Sequence, residues 1–129
     1  MPTRKPGTPY DLVVYIGLSR EISHIITEDG TESGTPVPLA GASGKALIKA
    51  ERDDLDAAAI AEWTVDLTVD PPNGVVEMSM DPVETLKLAP ASGSYAKYHY
   101  DLHVKLADTF EFIALWGTVE ALWPASRVV

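Results

Sequence analysis

From Tyr98 to Leu106 apolar and polar residues alternate without a fault. Tyr98, Tyr100, Leu102, Val104 and Leu106 share one parity; His99, Asp101, His103 and Lys105 share the other. Side chains on a strand switch faces at every residue, so this spacing predicts a half-buried strand with a wet outer face. Counted from Tyr95 it is the longest and cleanest run in the chain, which predicts a central place in a sheet. Tyr98 or Tyr100 fits a corner tyrosine whose hydroxyl bonds nearby backbone.

Other runs follow the same period. Trp63, Val65, Leu67 and Val69 alternate with Glu62, Thr64, Asp66, Thr68 and Asp70. Pro71-Pro72-Asn73-Gly74 then turns the chain into a hairpin partner with Val76, Met78 and Met80 inside. Asp81-Pro82-Val83-Glu84 reads as a capped helix start, and the short helix runs through about Leu88. Phe110, Phe112, Ala114 and Trp116 form the next inner row. Gly117 interrupts it, and Thr118 to Trp123 makes a last strand. Trp63, Trp116 and Trp123 all fall in inner rows, so core packing is their expected role.

The N-terminal half is less regular. Residues 1–10 hold three of the ten prolines and read as an extended arm. Leu12, Val14, Ile16 and Leu18 keep strand parity, but Val13 and Tyr15 are apolar too, which predicts a strand covered on both faces. Gly17 marks a bulge or a close backbone approach. Ile22, His24 and Ile26 continue in strand fashion. Residues 28–44 are dense in turn formers and predict a long loop that meets neighbouring proteins or is partly disordered. Lys45 to Arg52 fits a strand, although its Ala, Leu, Lys and Glu also favour helix. Asp53 to Ala61 fits a short helix or loop. Many short strands parted by turn signals predict an all-β, antiparallel sandwich over 11–123, with one or two short helical turns and a tail at 124–129.

Composition narrows the functional classes. A chain of 129 residues fits one domain with its own core. There are no cysteines, which removes disulfides and thiolate metal sites. The net charge is −9, spread evenly: residues 1–64 carry six basic and ten acidic groups, residues 65–129 four and nine. Such a surface repels phosphate backbones, so no nucleic-acid partner is expected. No stretch approaches the roughly 20 apolar residues of a membrane helix, and the basic N-terminus lacks the apolar core of a secretory signal, so no membrane partner is expected either.

Candidate chemistry is sparse. Gly41-Ala42-Ser43-Gly44-Lys45-Ala46 has the look of a phosphate loop. It lacks the first Walker glycine, and Ala46 replaces the magnesium-holding hydroxyl. His99 and His103 share a face but lie roughly 13 Å apart along a strand, too far for one ion unaided. His24 is distant in sequence. Asp53, Asp54 and Asp56 lack the spaced ligands of a calcium loop. No Gly-x-Ser-x-Gly elbow is present. The residues therefore assign no catalytic group, no cofactor site and no metal ligand, and a non-enzymatic role is expected.

One order of features is distinctive. The strand Glu62–Asp70 is followed by Gly74-Val-Val-Glu-Met-Ser-Met80 and by Asp81-Pro-Val-Glu-Thr-Leu86. Then come Tyr98-His-Tyr-Asp-Leu-His-Val104 and Ile113-Ala-Leu-Trp-Gly-Thr-Val119. Over about residues 45–123 this resembles the small Ig-like β-sandwich domain at the N-terminus of tailed-phage baseplate upper proteins and in related short virion proteins. The resemblance implies an Ig-like antiparallel sandwich and a structural part in a virion, made in the host cytoplasm. It implies a place at the tail tip or baseplate, with other virion proteins and copies of the same chain as partners. Capsid decoration is the close variant, and a carbohydrate or host-surface binding module is the alternative.

Overall fold

The computed structural model describes residues 8–31 and 33–124. In chain order the strands are β1 (Thr8–Pro9), β2 (Leu12–Tyr15), β3 (Arg20–Ile25), β4 (Ser43–Lys49), β5 (Ala61–Asp70) and β6 (Val75–Met80). After the short helix α1 (Pro82–Leu86) come β7 (Tyr95–Lys105) and β8 (Glu111–Leu122). Two 3-10 turns, Asp56–Ala58 and Pro71–Asn73, flank β5. The fold is all-β.

Pairing runs β1-β8-β7-β4-β5-β6-β3, with β2 also on β8, in one sheet curled into a half-barrel. The curl happens within β5. Its first residues pair with β4, Trp63 opposite Ala46, and from Thr64 onward it pairs with β6, Thr64 opposite Ser79. One strand thus serves two layers: β1/β2, β8, β7 and β4 on one side, β5, β6 and β3 on the other. The neighbours match the Ig order, with β4-β7-β8 as C-F-G and β3-β6-β5 as B-E-D. The tyrosine-bearing β7 is central, paired with β4 on one edge and β8 on the other.

The core lies between the layers. Its largest members include Trp63, Ile16, Leu39, Ile48, Met78, Leu88 and Leu102, drawn from strands on both sides and from the connections. The strand parities predicted for β6 and β7 hold, with Val76, Met78, Met80, Leu102 and Val104 buried.

The first strand departs from the antiparallel pattern. Both β1 and β2 run parallel to β8 with one unbroken offset, Pro9 opposite Trp116 and Leu12 opposite Val119. They are one strand interrupted where the Asp11 carboxylate, instead of a backbone carbonyl, accepts the Thr118 amide at 3.0 Å. The arm expected over 1–10 is therefore already sheet by Thr8; residues 1–7 lie outside the described residues, as do residues 125–129 of the tail.

Gly117 explains how this strand is held. Tyr100 on β7 faces Gly117 on β8, and the same offset places Tyr10 on the far side of Gly117. The Tyr100 hydroxyl donates to the Tyr10 carbonyl at 2.6 Å, so its ring passes over the glycine. A Cβ at 117 would stand 2.6 Å from that same oxygen. Gly117 does not interrupt a strand, as its sequence position suggested; it sits inside a continuous twelve-residue β8 and clears the way for a tie across three strands.

Tyr98 makes a second tie, its hydroxyl donating to the Leu88 carbonyl at 2.9 Å. That contact to the segment just upstream is the corner-tyrosine role. At α1, the Asp81 carboxylate accepts the Glu84 amide at 2.8 Å, so the cap forms as read. The reciprocal bond of a full capping box does not: Glu84 instead accepts the Glu62 amide at 3.0 Å and pairs with Lys87. Buried Thr85 accepts the Gly17 amide and donates to the Leu18 carbonyl, both at 3.0 Å. This fixes the corner where Gly17, at φ +84, turns β2 toward β3.

Several expected inner positions face outward, each for a local reason. Between Leu102 and His103 the β7–β8 register shifts, leaving Ala114 without an opposite residue. Ala114 and Leu115 are both buried and the parity of β8 flips, so Trp116 emerges on the outer face. Phe110 is exposed, because it lies in the hairpin before β8 begins. A shift between Asp66 and Asp70 likewise exposes Val69. Leu18 is exposed beyond the Gly17 corner, and Trp123 is half-buried against the core. Val13 and Tyr15 are exposed, since among the described residues none covers the outer side of β2.

The 28–44 segment also differs from its reading. Buried Val37 and Leu39 pin it to the core, with Val37 N donating to Ile26 O and Leu39 N to Pro71 O, both at 2.9 Å. Its aperiodic composition hid two anchors two residues apart.

Candidate functional site

The surface divides into two outer sheet faces and a groove where β4 and β5 part. The groove, of about 720 Å3, is lined by Leu47, Ile60, Trp63, Asp56, Asp81 and Glu84 among others. Three of its four carboxylates, all but that of Glu62, are committed to the fold. Asp56 clamps Lys45 and Lys49 at 3.1 and 2.8 Å, Asp81 caps α1, and Glu84 holds the Glu62 amide and Lys87. Lys87 holds the Glu84 carboxyl below the usual range, and the two lysines do the same for Asp56. Acids held ionised in this way are poor proton donors. The Trp63 indole N–H is buried and meets no acceptor among the described residues.

The outer face of β5, β6 and β3 is mainly acidic and hydroxylic, with exposed Ile25 opposite Val75 at one end. Asp66 lies opposite Glu77, and Glu77 opposite Ser23; Thr64 lies opposite Ser79, and Ser79 opposite Glu21. The Asp66 carboxylate accepts the Thr68 hydroxyl and amide at 2.6 and 2.8 Å, which keeps its pKa low. Among the described residues no group of three His, Asp or Glu side chains is placed to hold a metal ion.

The outer face of β1/β2, β8, β7 and β4 is different. Tyr15, Leu122 and Tyr95 form one row across three strands, and Val13, Glu120 and Lys97 the next. Further along, Thr118 lies beside His99 and Lys49, and Trp116 beside Asp101 and Leu47. Tyr15, Tyr95 and Val13 are 50, 48 and 42% exposed. The Arg52 guanidinium lies 4.6 Å from the centre of the Trp116 ring, a cation–π contact. This is the candidate site: a partly aromatic sheet face on which, among the described residues, Tyr15, Tyr95 and Val13 stay exposed.

The seam between the two free edges is closed by side chains. Arg20 Nε donates to the Val13 carbonyl at 3.1 Å, and the Thr8 hydroxyl to the Gly30 carbonyl at 2.8 Å. The Tyr10 and His24 rings meet edge-on, 5.8 Å between centres. Burial there holds the His24 imidazole below its ordinary pKa.

The residues weighed from the sequence are scattered. His99 and His103 lie on the outer face of β7, with His103 3.3 Å from Glu111, while His24 belongs to the other layer. Asp54 accepts the Glu51 amide at 3.1 Å and Asp56 turns to the lysines, so the three aspartates do not converge. Ser43, Gly44 and Lys45 are in β4, paired with Lys105, Val104 and His103; their backbone is sheet rather than a phosphate cradle. The residues that build the exposed face were missed because parity assigned Tyr15 to a covered strand and Trp116 to the core. No protein-family model and no curated protein sequence matches the chain.

Proposed function

We propose that the chain is a non-enzymatic structural subunit of a tailed-phage virion, placed at the tail tip or baseplate, where it mediates subunit assembly. In this reading it is made in the host cytoplasm and functions in the particle. The observation that carries the reading is the uncovered face bearing Tyr15, Tyr95 and Val13 on a rigid, sandwich-like body. Tyrosine joins a large contact area to few rotatable bonds and a polar tip, which suits protein contact surfaces. The order of motifs around β7 supplies the virion context. Partners are then other virion proteins and further copies of the chain, without nucleic acid or membrane. Mass spectrometry and antibody labelling of purified particles test it. Label at the tail tip is expected; label on the head indicates capsid decoration, and absence from particles ends both.

A second reading, a carbohydrate or host-surface binding module, draws on the same two tyrosines. They stand two strands apart, roughly 10 Å by sheet spacing, as a stacking platform would require. Glycan binding lost in Tyr15→Ala and Tyr95→Ala is its signature; no binding at millimolar sugar removes it. Trp123 has no part in it, being packed against the core.

A further inference from the structure

We infer that the outer face of β8 and β7 is a two-fold interface between copies of this chain, with the axis parallel to the strands above the line between them. From the reading above this takes only that the chain meets its own copies. The charge order along the two strands carries it. Outward along β7 come Lys97, His99, Asp101, His103 and Lys105, which is base, histidine, acid, histidine, base. Outward along β8, in the matching rows, come Glu120, Thr118, Trp116, Ile113 and Glu111. With Arg52 seated on Trp116, that order is acid, neutral, base, neutral, acid.

A two-fold axis between the strands lays β8 of one copy on β7 of the other. Glu120 then meets the partner's Lys97, Glu111 meets the partner's Lys105, and Arg52 on Trp116 meets the partner's Asp101. Each contact occurs twice, as an isologous interface requires. Leu122 comes to lie on the partner's Tyr95 in the same operation. Among the described residues no ion pair engages Lys97, Lys105 or Glu120 beyond their facing of opposite charges across β7 and β8, and Glu111, 3.3 Å from His103, shares that contact with the partner's Lys105. Facing sheets cross at about 30° or less, so the register is closest at the Asp101–Trp116 row in the middle, and the long Lys97, Lys105, Glu111 and Glu120 side chains span the slip toward the ends. Four strands about 4.8 Å apart, seven to twelve residues long at about 3.3 Å each, give a face of roughly 400 Å2 per copy. Two such faces bury roughly 800 Å2, the size of a weak, transient contact. The opposite face, bearing Glu21, Asp66 and Glu77, repels its own copy.

Sedimentation velocity of the full chain at 10 to 500 µM (about the range for a contact this size) tests the assignment. A concentration-dependent dimer is expected. Lys97→Glu and Glu120→Lys should each weaken it by about tenfold or more, since each sets like charges face to face across the axis. The double variant, and an equimolar mixture of the two single variants, should restore it. Circular dichroism and melting checks that each variant is folded. A chain that stays monomeric throughout, or a dimer indifferent to these charge changes, overturns the assignment. Monomeric chain found in particles would sink this interface alone; dimeric chain absent from particles would sink the virion reading alone.

Discussion

The two outer faces belong to one continuous sheet yet have opposite character. On β3, β6 and β5 the outward residues in register are mostly acids or hydroxyls, Glu21, Ser23, Thr64, Asp66, Glu77 and Ser79, with Ile25 and Val75 at one end. On β2, β8 and β7 they include Tyr15, Val13, Leu122, Tyr95 and Trp116, with charges of both signs in matched rows. The first face is mainly polar, and the second leaves two tyrosines half exposed. A sheet with one face on the core and one in solvent needs only alternation. The departure from plain alternation on β2 and β8 is what sets this face apart.

The strongest way to break the contrast is to detach the strand that carries Val13 and Tyr15. Gly117→Ala places a Cβ 2.6 Å from the Tyr10 carbonyl and in the path of the Tyr100 ring. Overpacking at such a site costs about 2–3 kcal/mol. Chemical denaturation should show a loss of that size. Hydrogen exchange should place it on β1, β2 and β8, with the β3-β6-β5 face still protected. Uniform loss of protection would mean that the two faces do not unfold separately.

Tyr100→Phe is the gentler version. It keeps the ring and removes the donor to the Tyr10 carbonyl, an expected cost of about 1–3 kcal/mol for an acceptor left unmet in a part-buried site. Tyr98→Phe, which frees the Leu88 carbonyl, tests the corner in the same way and should act on α1 instead of β2. Burial raises the Tyr100 hydroxyl pKa well above its ordinary value, so this tie persists through mild alkali.

How much of this was legible depended on whether periodicity survived contact with neighbouring strands. β7 and β6 were readable because the extra residues at their register shifts lie on the partner strands, β8 and β5, so their own burial follows parity. β8 was not: one unpaired residue, Ala114, reverses the side on which Trp116 emerges, and a bulge is a property of two strands at once. The parallel first strand depends on Asp11 reaching Thr118, 107 residues away, which no local pattern encodes. Val37 and Leu39 were apolar in plain sight, but their setting of prolines and glycines carried the signature of a loop. Tyr15 illustrates the limit for the candidate site. An apolar residue on each parity reads as a strand covered twice, and only the sheet order reveals that β2 has an uncovered side.

The seam where the faces meet offers a pH test. Burial holds His24 below its ordinary value of 6.5. In the window between the folded value and that of the open chain, the unfolded state binds more protons. The contribution is therefore whole above about pH 6.5 and is lost as pH falls toward the folded value. Urea midpoints should decline through that window in the parent chain and less so in His24→Gln. The carboxylates of Asp11, Asp66 and Glu84, also held low, give up their contribution only at more acid pH, so the two phases separate. An unchanged slope in His24→Gln would remove the seam histidine from the account.

The smallest effect sharpens the contrast most directly, because the same kind of change should have opposite signs on the two faces. Asp66 and Glu77 stand directly across from one another on β5 and β6, two acids in register. Lys97 and Glu120 stand across from one another on β7 and β8, a base against an acid. Cross-strand charge pairs are worth roughly 0.2–1 kcal/mol, and like pairs cost a similar amount. Glu77→Lys should therefore stabilise the monomer by about 0.5 kcal/mol, and Lys97→Glu should destabilise it by about as much. Both differences belong to exposed charges, so both should fade in 1 M salt, where the screening length is about 3 Å. Measured by denaturation at concentrations low enough to keep the chain monomeric, shifts of the same sign would mean that cross-strand charge does not distinguish the faces. The contrast would then rest on the tyrosines alone.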